Sequence, residues 1–208
     1  DANHGLTPAK PKLTLAAVMA LLTPGDTVYV DAGTYRPADS VVVTSSYVWL
    51  IGKDSAATVI DFGGAARSLY AMDLQGITVC DLQVRNATQG VYLHNTDSST
   101  IRRVSVSSCG TAFYLHAGAS GNTLADNFGD SGNLGIYLYT NADSNTLSGN
   151  TLQRFANLGI AVDENARQWI GGNVCRANNR GIGLYKSDTS ICVGNTAIGN
   201  RSHGMELN

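Results

Sequence analysis

The sequence predicts an all-β fold: a right-handed parallel β-helix, a solenoid of about eight coils, preceded by a short capping helix. The first observation is a repeated segment, a small residue followed three positions later by Leu or Val, which recurs in steps of 22 to 24 residues. Its six copies lie at residues 90–93, 112–115, 135–138, 159–162, 181–184 and 204–207. The second is an asparagine that recurs in phase with it, at Asn127, Asn150, Asn173 and Asn195.

Each copy of the segment has the pattern of a strand with one buried face. Apolar residues alternate along it, as at Val91 and Leu93 or at Ile136 and Leu138, which is the period of a strand and not of a helix. A unit of about 23 residues cannot bury its apolar row alone, so successive units are expected to stack edge to edge. Leucine-rich repeats are the alternative of similar length, but their L-x-x-L-x-L framework and helical return are missing here.

The asparagine column predicts a hydrogen-bonded ladder at one corner of the coils. Asparagine tolerates the left-handed backbone of a sharp corner, and its amide both donates and accepts hydrogen bonds. Stacked at a strand spacing of about 4.8 Å, such amides can bond from coil to coil. One and two coils before Asn127 the equivalent positions hold Val104 and Leu82, so we expect the ladder to begin at Asn127.

The two ends of the chain differ from the repeats. Residues 1–26 are predicted to form an N-terminal segment with the capping helix, and residues 27–208 the β-helix. The helix is expected over residues 14–22, a run of helix formers that Pro24 and Gly25 end. Residues 26–35 are expected to form a strand and a turn, and less regular strands follow at residues 41–43, 48–52, 58–61 and 77–79. The sequence stops inside a strand, so further chain or a partner is expected to cover the last coil.

Composition and charge exclude several classes of protein. Among 208 residues, 14 Lys and Arg face 16 Asp and Glu, a net charge of −2, so no nucleic-acid partner is expected. No apolar run approaches the roughly 18 residues of a membrane span, and a hydrophobic share of 43% argues against disorder. The four cysteines lack the spacing of a metal site. Cys175 and Cys192 replace apolar residues of neighbouring repeats and are predicted as buried thiols, with a disulfide as the alternative.

The N-terminal part and the repeats together resemble a known superfamily. Residues 1–11, then a short helix, then GDTVYV at 25–30 and GTY at 33–35 are similar to the start of secreted right-handed β-helix proteins of the pectate-lyase-like superfamily. The Gly-Ile-x-Leu and Asn-Thr-Leu elements resemble carbohydrate-binding and sugar-hydrolase type repeats of polysaccharide lyases, mannuronan C5-epimerases and periplasmic copper-site assembly proteins. The resemblance implies a secreted, periplasmic or cell-surface location, and it specifies the fold more than an activity.

One outward face of the predicted coils carries the residues that look like a site. Stacking places equivalent positions of adjacent coils side by side. Three outward columns result, which contain Tyr92, Tyr114 and Tyr137; His94, His116, Tyr139, Asp163 and Tyr185; and, at the strand edge, Glu164 and Lys186. Tyrosines in such a column can bind the rings of a linear polysaccharide, or they can simply stabilise the sheet by cross-strand stacking. Both interpretations are kept.

The resemblance also implies roles in a possible reaction. In polyuronate lyases and epimerases of the superfamily, a base removes the proton next to the uronate carboxylate, and a cation or polar group stabilises the enolate. His116 is then the candidate base, Tyr139 or Tyr114 the acid, and Lys186 or Arg103 the carboxylate partner. The Asp-Pro-His motif of the epimerases is missing, and glycoside hydrolysis is the least supported reaction because the face offers essentially one Asp.

No cofactor is predicted, with a calcium ion kept as the alternative. Calcium-dependent lyases cluster several carboxylates, whereas this sequence offers only Asp163, Glu164 and Asp188 for an ion that takes six to eight oxygens. His94 over His116 is expected to be a pair of neutral imidazoles, with a metal site that includes Asp163 as the alternative.

Two functional hypotheses follow from the sequence. The first is a secreted β-helix module, part of a larger protein, that binds an extracellular, acidic polysaccharide along the Tyr- and His-lined face. The second is a polyuronate lyase or C5-epimerase that uses the same face.

Overall fold

The computed structural model describes residues 3–7, 9–66 and 68–208, and it confirms the parallel β-helix of eight coils with one short helix. The helix is α1 (Leu15–Met19). The strands are β1 (Thr27–Val30), β2 (Gly33–Tyr35), β3 (Val41–Val43), β4 (Trp49–Gly52), β5 (Thr58–Asp61), β6 (Leu69–Met72), β7 (Thr78–Cys80), β8 (Gln83–Arg85), β9 (Gln89–His94), β10 (Thr100–Arg102), β11 (Ser105–His116), β12 (Thr123–Ala125), β13 (Phe128–Tyr139), β14 (Thr146–Ser148), β15 (Thr151–Phe155), β16 (Leu158–Asp163), β17 (Trp169–Gly171), β18 (Val174–Arg176), β19 (Arg180–Tyr185), β20 (Ile191–Val193), β21 (Thr196–Ile198) and β22 (His203–Leu207).

The coils have three sides, and each side is a parallel sheet. Sheet 1 contains β1, β4, β7, β10, β12, β14, β17 and β20 in that order. Sheet 2 contains β2, β5, β8, β15, β18 and β21, and sheet 3 contains β3, β6, β9, β16, β19 and β22. The long strands β11 and β13 bend through the corner between sheets 2 and 3 and join them into one 14-stranded sheet. Every strand pair is parallel, as stacking of like coils requires.

The apolar residues of each strand fill the inside of the coils. In sheet 3, Val91 and Leu93 are buried and pair through Phe113 and Leu115 with Ile136 and Leu138, so each inward residue lies on its equivalent in the next coil. The buried side chains form a continuous core from the helix to Leu184. The outward residues between them are therefore held in fixed rows by the core beneath them.

The helix covers the first coil but is shorter than predicted. The Thr14 hydroxyl oxygen accepts a hydrogen bond from the Ala17 N–H at 3.2 Å, and Leu15 and Met19 are buried in the core. The helix ends at Met19 instead of residue 22, because the next backbone bond, from the Leu21 N–H to the Val18 carbonyl, closes a tighter turn. Residues 1, 2 and 8 of the predicted N-terminal segment lie outside the described residues.

The asparagine ladder is present, with one correction. The Asn127 N–H and side-chain amide both donate to the Asn150 Oδ1 at 3.0 Å, and Asn150 bonds to Asn173 in the same way. The asparagines themselves do not adopt the left-handed conformation; the residue before each does, as at Asp126 with φ 54° and Gly149 with φ 64°. The sharp turn is made one residue early, so that the amide can enter the coil and reach its neighbours.

Two further ladders line the other corners. Before sheet 1, the N–H of Asn122 donates to Asn145 Oδ1 and the N–H of Asn145 donates to Gln168 Oε1. Before sheet 3, the Asn178 N–H donates to Asn200 Oδ1. Buried amides thus satisfy the backbone groups that the corners leave without sheet partners.

The last coil is the least buried part of the β-helix. Met205 and Leu207 continue the inward rows of Ile182 and Leu184, yet they are 46% and 71% exposed. That further chain or a partner covers this coil stays a prediction. All four cysteines are free, with Cys175 buried and Cys192 half-buried, and in the described part of the chain no helix has the length and apolar character needed to cross a membrane.

Candidate functional site

The outer face of sheet 3 carries a set of seven contacting rings, which we call the ring array. Its first row consists of Tyr70, Tyr92, Tyr114 and Tyr137, and its second row of His94, His116 and Tyr139. The rings lie on four consecutive coils because their strands pair in direct register, for example Tyr114 with Tyr92 on one side and with Tyr137 on the other. All seven are half-buried.

The rings stack on one another along the axis of the β-helix. In the first row, the centroids of Tyr92 and Tyr114 are 5.0 Å apart with an interplanar angle of 14°, and those of Tyr114 and Tyr137 are 5.3 Å apart at 6°. In the second row, His116 and Tyr139 are 5.6 Å apart at 5°. The faces of the inner rings are therefore covered by neighbouring rings, and a ligand meets mainly ring edges and hydroxyl groups.

Sequence reasoning placed most of the array but missed one coil. It began the columns at Tyr92 and His94, whereas the structure extends them to Tyr70 and Met72, which pair with those two residues. The sequence contains the signal for this coil. Leu69 and Ala71 alternate with Tyr70 and Met72 in the same pattern that residues 91–94 show 22 positions later. It was obscured because Ser68, not glycine, precedes that strand.

Hydrogen bonds orient the first rings of the array, and burial shifts the pKa of two of the rings. The Tyr92 Oη lies 3.2 Å from the Nδ1 atoms of both His94 and His116, and the Tyr70 hydroxyl donates to the Met72 Sδ at 2.9 Å. Burial raises the pKa of Tyr114 to about 12. Burial, with a smaller contribution from His94, lowers the pKa of His116 and so favours its uncharged imidazole.

Beyond the rings, the second row continues into charged residues. Asp163 follows Tyr139 in the register, and Glu164 occupies the next corner. The Lys186 Nζ lies 3.0 Å from the Glu164 Oε1, and this hydrogen bond raises the pKa of Lys186. These residues therefore lie at one end of the array, as predicted from the columns.

Tyr185 bends back from its column. A Cβ atom at Gly183 would lie 2.6 Å from the Tyr185 Oη, so the ring needs the space above that glycine. The Tyr185 hydroxyl donates to the Glu206 Oε2 at 2.8 Å and accepts from the Arg180 Nη1 at 3.1 Å. Sequence reasoning did not single out Arg180, because nothing in the strand pattern shows that the tyrosine folds toward it.

Arg103, a candidate carboxylate partner, lies apart from the ring array. This residue follows β10 at the corner between sheets 1 and 2, not on the face of sheet 3. Its guanidinium forms two hydrogen bonds with Asp81, at 2.6 and 2.8 Å. A cation at that corner belongs to a different side of the coil from Tyr114 and His116 and does not contribute to the ring array.

The predicted alternatives with a metal ion are not supported by geometry. Within residues 3–7, 9–66 and 68–208, no three His, Cys, Asp or Glu side chains come together as a metal site. His94 and His116, whose centroids are 5.4 Å apart, are thus not joined by Asp163, and Asp163, Glu164 and Asp188 form no calcium cluster.

Burial of tyrosines at this face predicts a loss of stability in alkali. The pKa of Tyr137 and of Tyr185 is raised from 10.0 to about 12, mainly by burial. A raised pKa means that the folded state holds the proton more tightly, so the stabilisation is complete below about pH 10 and is lost as the pH rises toward about 12. We expect urea unfolding to show this decline, and Tyr137→Phe, which keeps the ring, to reduce it. An unchanged alkaline profile in Tyr137→Phe would contradict the explanation.

Comparison with known proteins places the chain in context. A family model described as NosD, periplasmic copper-binding protein, matches residues 23–208. No curated protein matches. Among solved structures, an alginate lyase from Paenibacillus sp. str. FPU-7 has 12% identity and a TM-score of 0.58, with 93% of this chain and 95% of that chain covered.

Two longer proteins share the fold as well. The mannuronan C-5 epimerase AlgE4 A-module of Azotobacter vinelandii has 17% identity and a TM-score of 0.66, covering 92% of this chain and 67% of the other. XylC in complex with xylose has 12% identity and a TM-score of 0.71, covering 99% of this chain and 66% of the other. At these identities the structural likeness concerns the fold alone.

Proposed function

The chain belongs to the NosD family of periplasmic copper-binding proteins, and from this premise we propose that it is a periplasmic or otherwise exported β-helix module that binds a polysaccharide along the outer face of sheet 3. The observation that carries the proposal is the ring array and its charged continuation, which follow one another in strand register from Tyr70 to Glu206. This strip of residues crosses seven coils, so it is roughly 29 Å long at the strand spacing. A linear polymer fits such a strip.

The shape of the face favours a polymer over a small molecule. One surface depression is lined by Arg154, Phe155 and Arg201, and another by Asp73, Asn95 and Asp97. No ring of the array lines either of them. Small-molecule sites are usually concave and enclosed, whereas extended ligands bind along open surfaces.

The groups along the strip suit a sugar polymer with carboxylates. Phenol hydroxyls and imidazoles along the array can exchange hydrogen bonds with sugar hydroxyls. At the far end, Lys186 and Arg180 are cations that a uronate carboxylate can contact, although each is already paired, with Glu164 and Glu206 respectively. The alginate lyase and the mannuronan C-5 epimerase share only the fold with this chain, and they guide the choice of alginate as the first polymer to test.

Removing the ring at the end of the array is expected to weaken polymer binding. Tyr139 stacks on His116 and borders Asp163, so its ring and hydroxyl lie where the aromatic and charged parts meet. We expect Tyr139→Ala to weaken alginate binding about tenfold, equivalent to about 1.4 kcal/mol, measured by affinity electrophoresis or calorimetry. The matched control is Tyr29→Ala, since Tyr29 is a 79% exposed tyrosine on sheet 1, and its removal should leave binding unchanged. Equal effects of the two changes would refute the proposed face.

A second candidate function is a polyuronate lyase or C5-epimerase, and the observation that favours it is the half-buried His116 stacked against Tyr114 and Tyr139. A neutral imidazole can accept the proton next to a uronate carboxylate, with Tyr114 or Tyr139 returning a proton and Lys186 holding the carboxylate. The same alginate and pectate samples can be monitored for unsaturated products and for a change in uronate composition. Products that disappear in His116→Gln would favour the enzyme, whereas binding without products favours the module.

A further inference from the structure

Two histidines of the ring array meet at one phenol. The Tyr92 Oη lies 3.2 Å from the Nδ1 of His94 on its own strand and 3.2 Å from the Nδ1 of His116 on the next strand. The two imidazole centroids are 5.4 Å apart. We call His94 and His116 the histidine pair. Because this phenol occupies both Nδ1 atoms, the Nε2 atoms are the ones left for a ligand.

The Nε2 atoms of the histidine pair reach the surface. Among the described residues, neither Nε2 has a hydrogen-bond partner, and the Arg180 Nε is the single side-chain nitrogen or oxygen atom that is buried without one. Both side chains are half-buried, so the rings are held by their neighbours while one edge of each remains accessible.

The shared phenol gives the two neutral imidazoles opposite tautomers. Burial raises the pKa of Tyr92, so its hydroxyl keeps its single hydrogen. A neutral imidazole has one donor nitrogen and one acceptor nitrogen. The arrangement that uses the phenol hydrogen and both Nδ1 atoms has one Nδ1 accepting from the hydroxyl and the other Nδ1 donating to it. The pair then presents one Nε2–H donor and one Nε2 acceptor to a ligand.

One added proton changes what the pair can bind. The proton adds to the free Nε2 lone pair, and both hydrogen bonds to the Tyr92 hydroxyl stay as they are. The pair then presents two Nε2–H donors and one positive charge, which match the two oxygens of a carboxylate. Charge-assisted bonds of about 2.8 Å from each oxygen allow one carboxylate to lie between the two rings.

The titratable residues on the strands packed against the pair are tyrosines. They lie on β6, β9, β11 and β13 and are Tyr70, Tyr92, Tyr114, Tyr137 and Tyr139. Burial raises the pKa of four of them, Tyr70, Tyr92, Tyr114 and Tyr137, so these phenols carry no charge that could balance an imidazolium at neutral pH.

The charged side chains at the two ends of the row are not paired with the histidines. Asp73 accepts a hydrogen bond from the Asn95 Nδ2 at 2.7 Å. Asp163 lies one coil beyond the last ring of the second row, and Glu164 pairs with Lys186. In the described part of the chain, no carboxylate forms an ion pair with either imidazole. A ligand carboxylate therefore has no internal competitor at the pair.

We propose that the histidine pair is the carboxylate subsite of the polymer-binding face, and that it binds a uronate with the uptake of one proton. This inference rests on the polymer binding proposed above, and it adds the residues that select an acidic polymer over a neutral one. Tyr92 is a positioning residue for the pair. The cations at the far end of the strip, Lys186 and Arg180, already have acidic partners, whereas the pair acquires its charge with the ligand.

The sign of the pH dependence follows from the charges. Burial disfavours the imidazolium and lowers the pKa of His116. A bound carboxylate favours the imidazolium, so protonation and binding strengthen each other. Affinity for a polyuronate is therefore expected to rise as the pH falls through the range in which imidazoles titrate.

NMR of the histidine rings in the full chain tests the tautomers. Long-range ¹H–¹⁵N correlation spectra of the free protein at about pH 8, where imidazoles are uncharged, should show one Nδ1–H and one Nε2–H tautomer for the pair. Tyr92→Phe keeps the ring but lacks the hydroxyl, and both imidazoles should then adopt the same tautomer. Opposite tautomers that persist in Tyr92→Phe would contradict the role of this phenol.

Calorimetry with sodium alginate measures the proton uptake. In buffers of different ionisation enthalpy at about pH 7, we expect about 0.5 to 1 proton taken up per chain on binding, and an affinity at least about tenfold higher at about pH 6 than at about pH 8. Carboxylates titrate near about pH 4, so the polymer stays charged throughout. Carboxyl-reduced alginate, the same polymer without its charge, should bind without proton uptake.

A double variant removes the titrating groups. His94→Gln combined with His116→Gln keeps hydrogen-bonding amides that cannot take up a proton. It should lose the pH dependence and bind alginate at least about tenfold more weakly at about pH 6. The matched control is His203→Gln, an exposed histidine on β22, which should retain both properties. Circular dichroism checks folding, and should the double variant not fold, the histidine titration of the parent with and without alginate decides.

The failure of this subsite and the failure of polymer binding give different results. Alginate binding without proton uptake, or with an unchanged titration midpoint of the pair, overturns the subsite and leaves polymer binding intact. Lack of alginate binding at every pH overturns polymer binding instead. The subsite is then decided with sodium glucuronate, a uronate monomer, added while the ring resonances are followed through the titration. A raised midpoint of the pair supports the subsite, and an unchanged midpoint overturns it.

Discussion

Gly135→Ala is expected to lower the free energy of unfolding by about 3 kcal/mol, because the new methyl group has no space. A Cβ atom at Gly135 would lie 2.2 Å from the backbone carbonyl oxygen of Gly159 in the next coil and 3.0 Å from the side chains of Leu152 and Phe155. A backbone atom cannot turn aside as a flexible side chain can, so the two coils must separate. Urea unfolding followed by circular dichroism measures the loss.

The matched control lies in the same row. Gly204 occupies the equivalent position in the last coil, and the nearest atom to a Cβ there is 3.6 Å away, so Gly204→Ala should change stability by less than about 0.5 kcal/mol. Ala112 stands in this row one coil before Gly135, so the row as such does not require glycine. The short distance to the Gly159 carbonyl oxygen is what makes a methyl group at Gly135 costly. Equal stability losses in Gly135→Ala and Gly204→Ala would contradict this explanation.

Asn150→Ala is expected to cost about 3 kcal/mol, because it leaves buried polar groups without partners. The Asn150 Oδ1 accepts hydrogen bonds from the Asn127 N–H and side-chain amide, both at 3.0 Å. Its Nδ2 donates to the Leu124 carbonyl and to the Asn173 Oδ1, both at 2.9 Å. Asn150 is fully buried, so water cannot replace these bonds without opening the coil.

The end of the same ladder offers the control. Asn195 makes comparable bonds to Asn173 and Ile170 but is only half-buried in the last coil. Removing the half-buried Asn195 side chain opens a path for water to the Asn173 and Ile170 groups that it leaves free, so we expect a loss of under about 1 kcal/mol. If thermal and urea unfolding show that the two variants lose the same stability, burial does not set the strength of the ladder.

Much of the ring array was predictable because register in a solenoid follows from the repeat period. Steps of 22 to 24 residues place Tyr92, Tyr114 and Tyr137 in one row and His94, His116 and Tyr139 in the next, and the strand pairing has this register. The extension to Tyr70 and Met72 was missed because the early coils lack the glycine that marks the later repeats.

Other features depend on contacts that a one-dimensional pattern does not contain. Arg103 was chosen as a candidate carboxylate partner, but at the corner after β10 its guanidinium pairs with Asp81. Tyr185 belongs to the second row by register, yet the missing side chain at Gly183 lets it bend toward Arg180 and Glu206.

By itself, the sequence determined the coil, its period and the outward rows, because alternation and repeat spacing are local properties that parallel stacking carries unchanged into three dimensions. Only the tertiary structure decided that the rings lie face to face, that the left-handed residue precedes each ladder asparagine, and that Tyr185 folds toward Arg180 and Glu206. These features depend on distances between side chains of different coils. Such distances arise from packing of the whole solenoid and not from any one repeat.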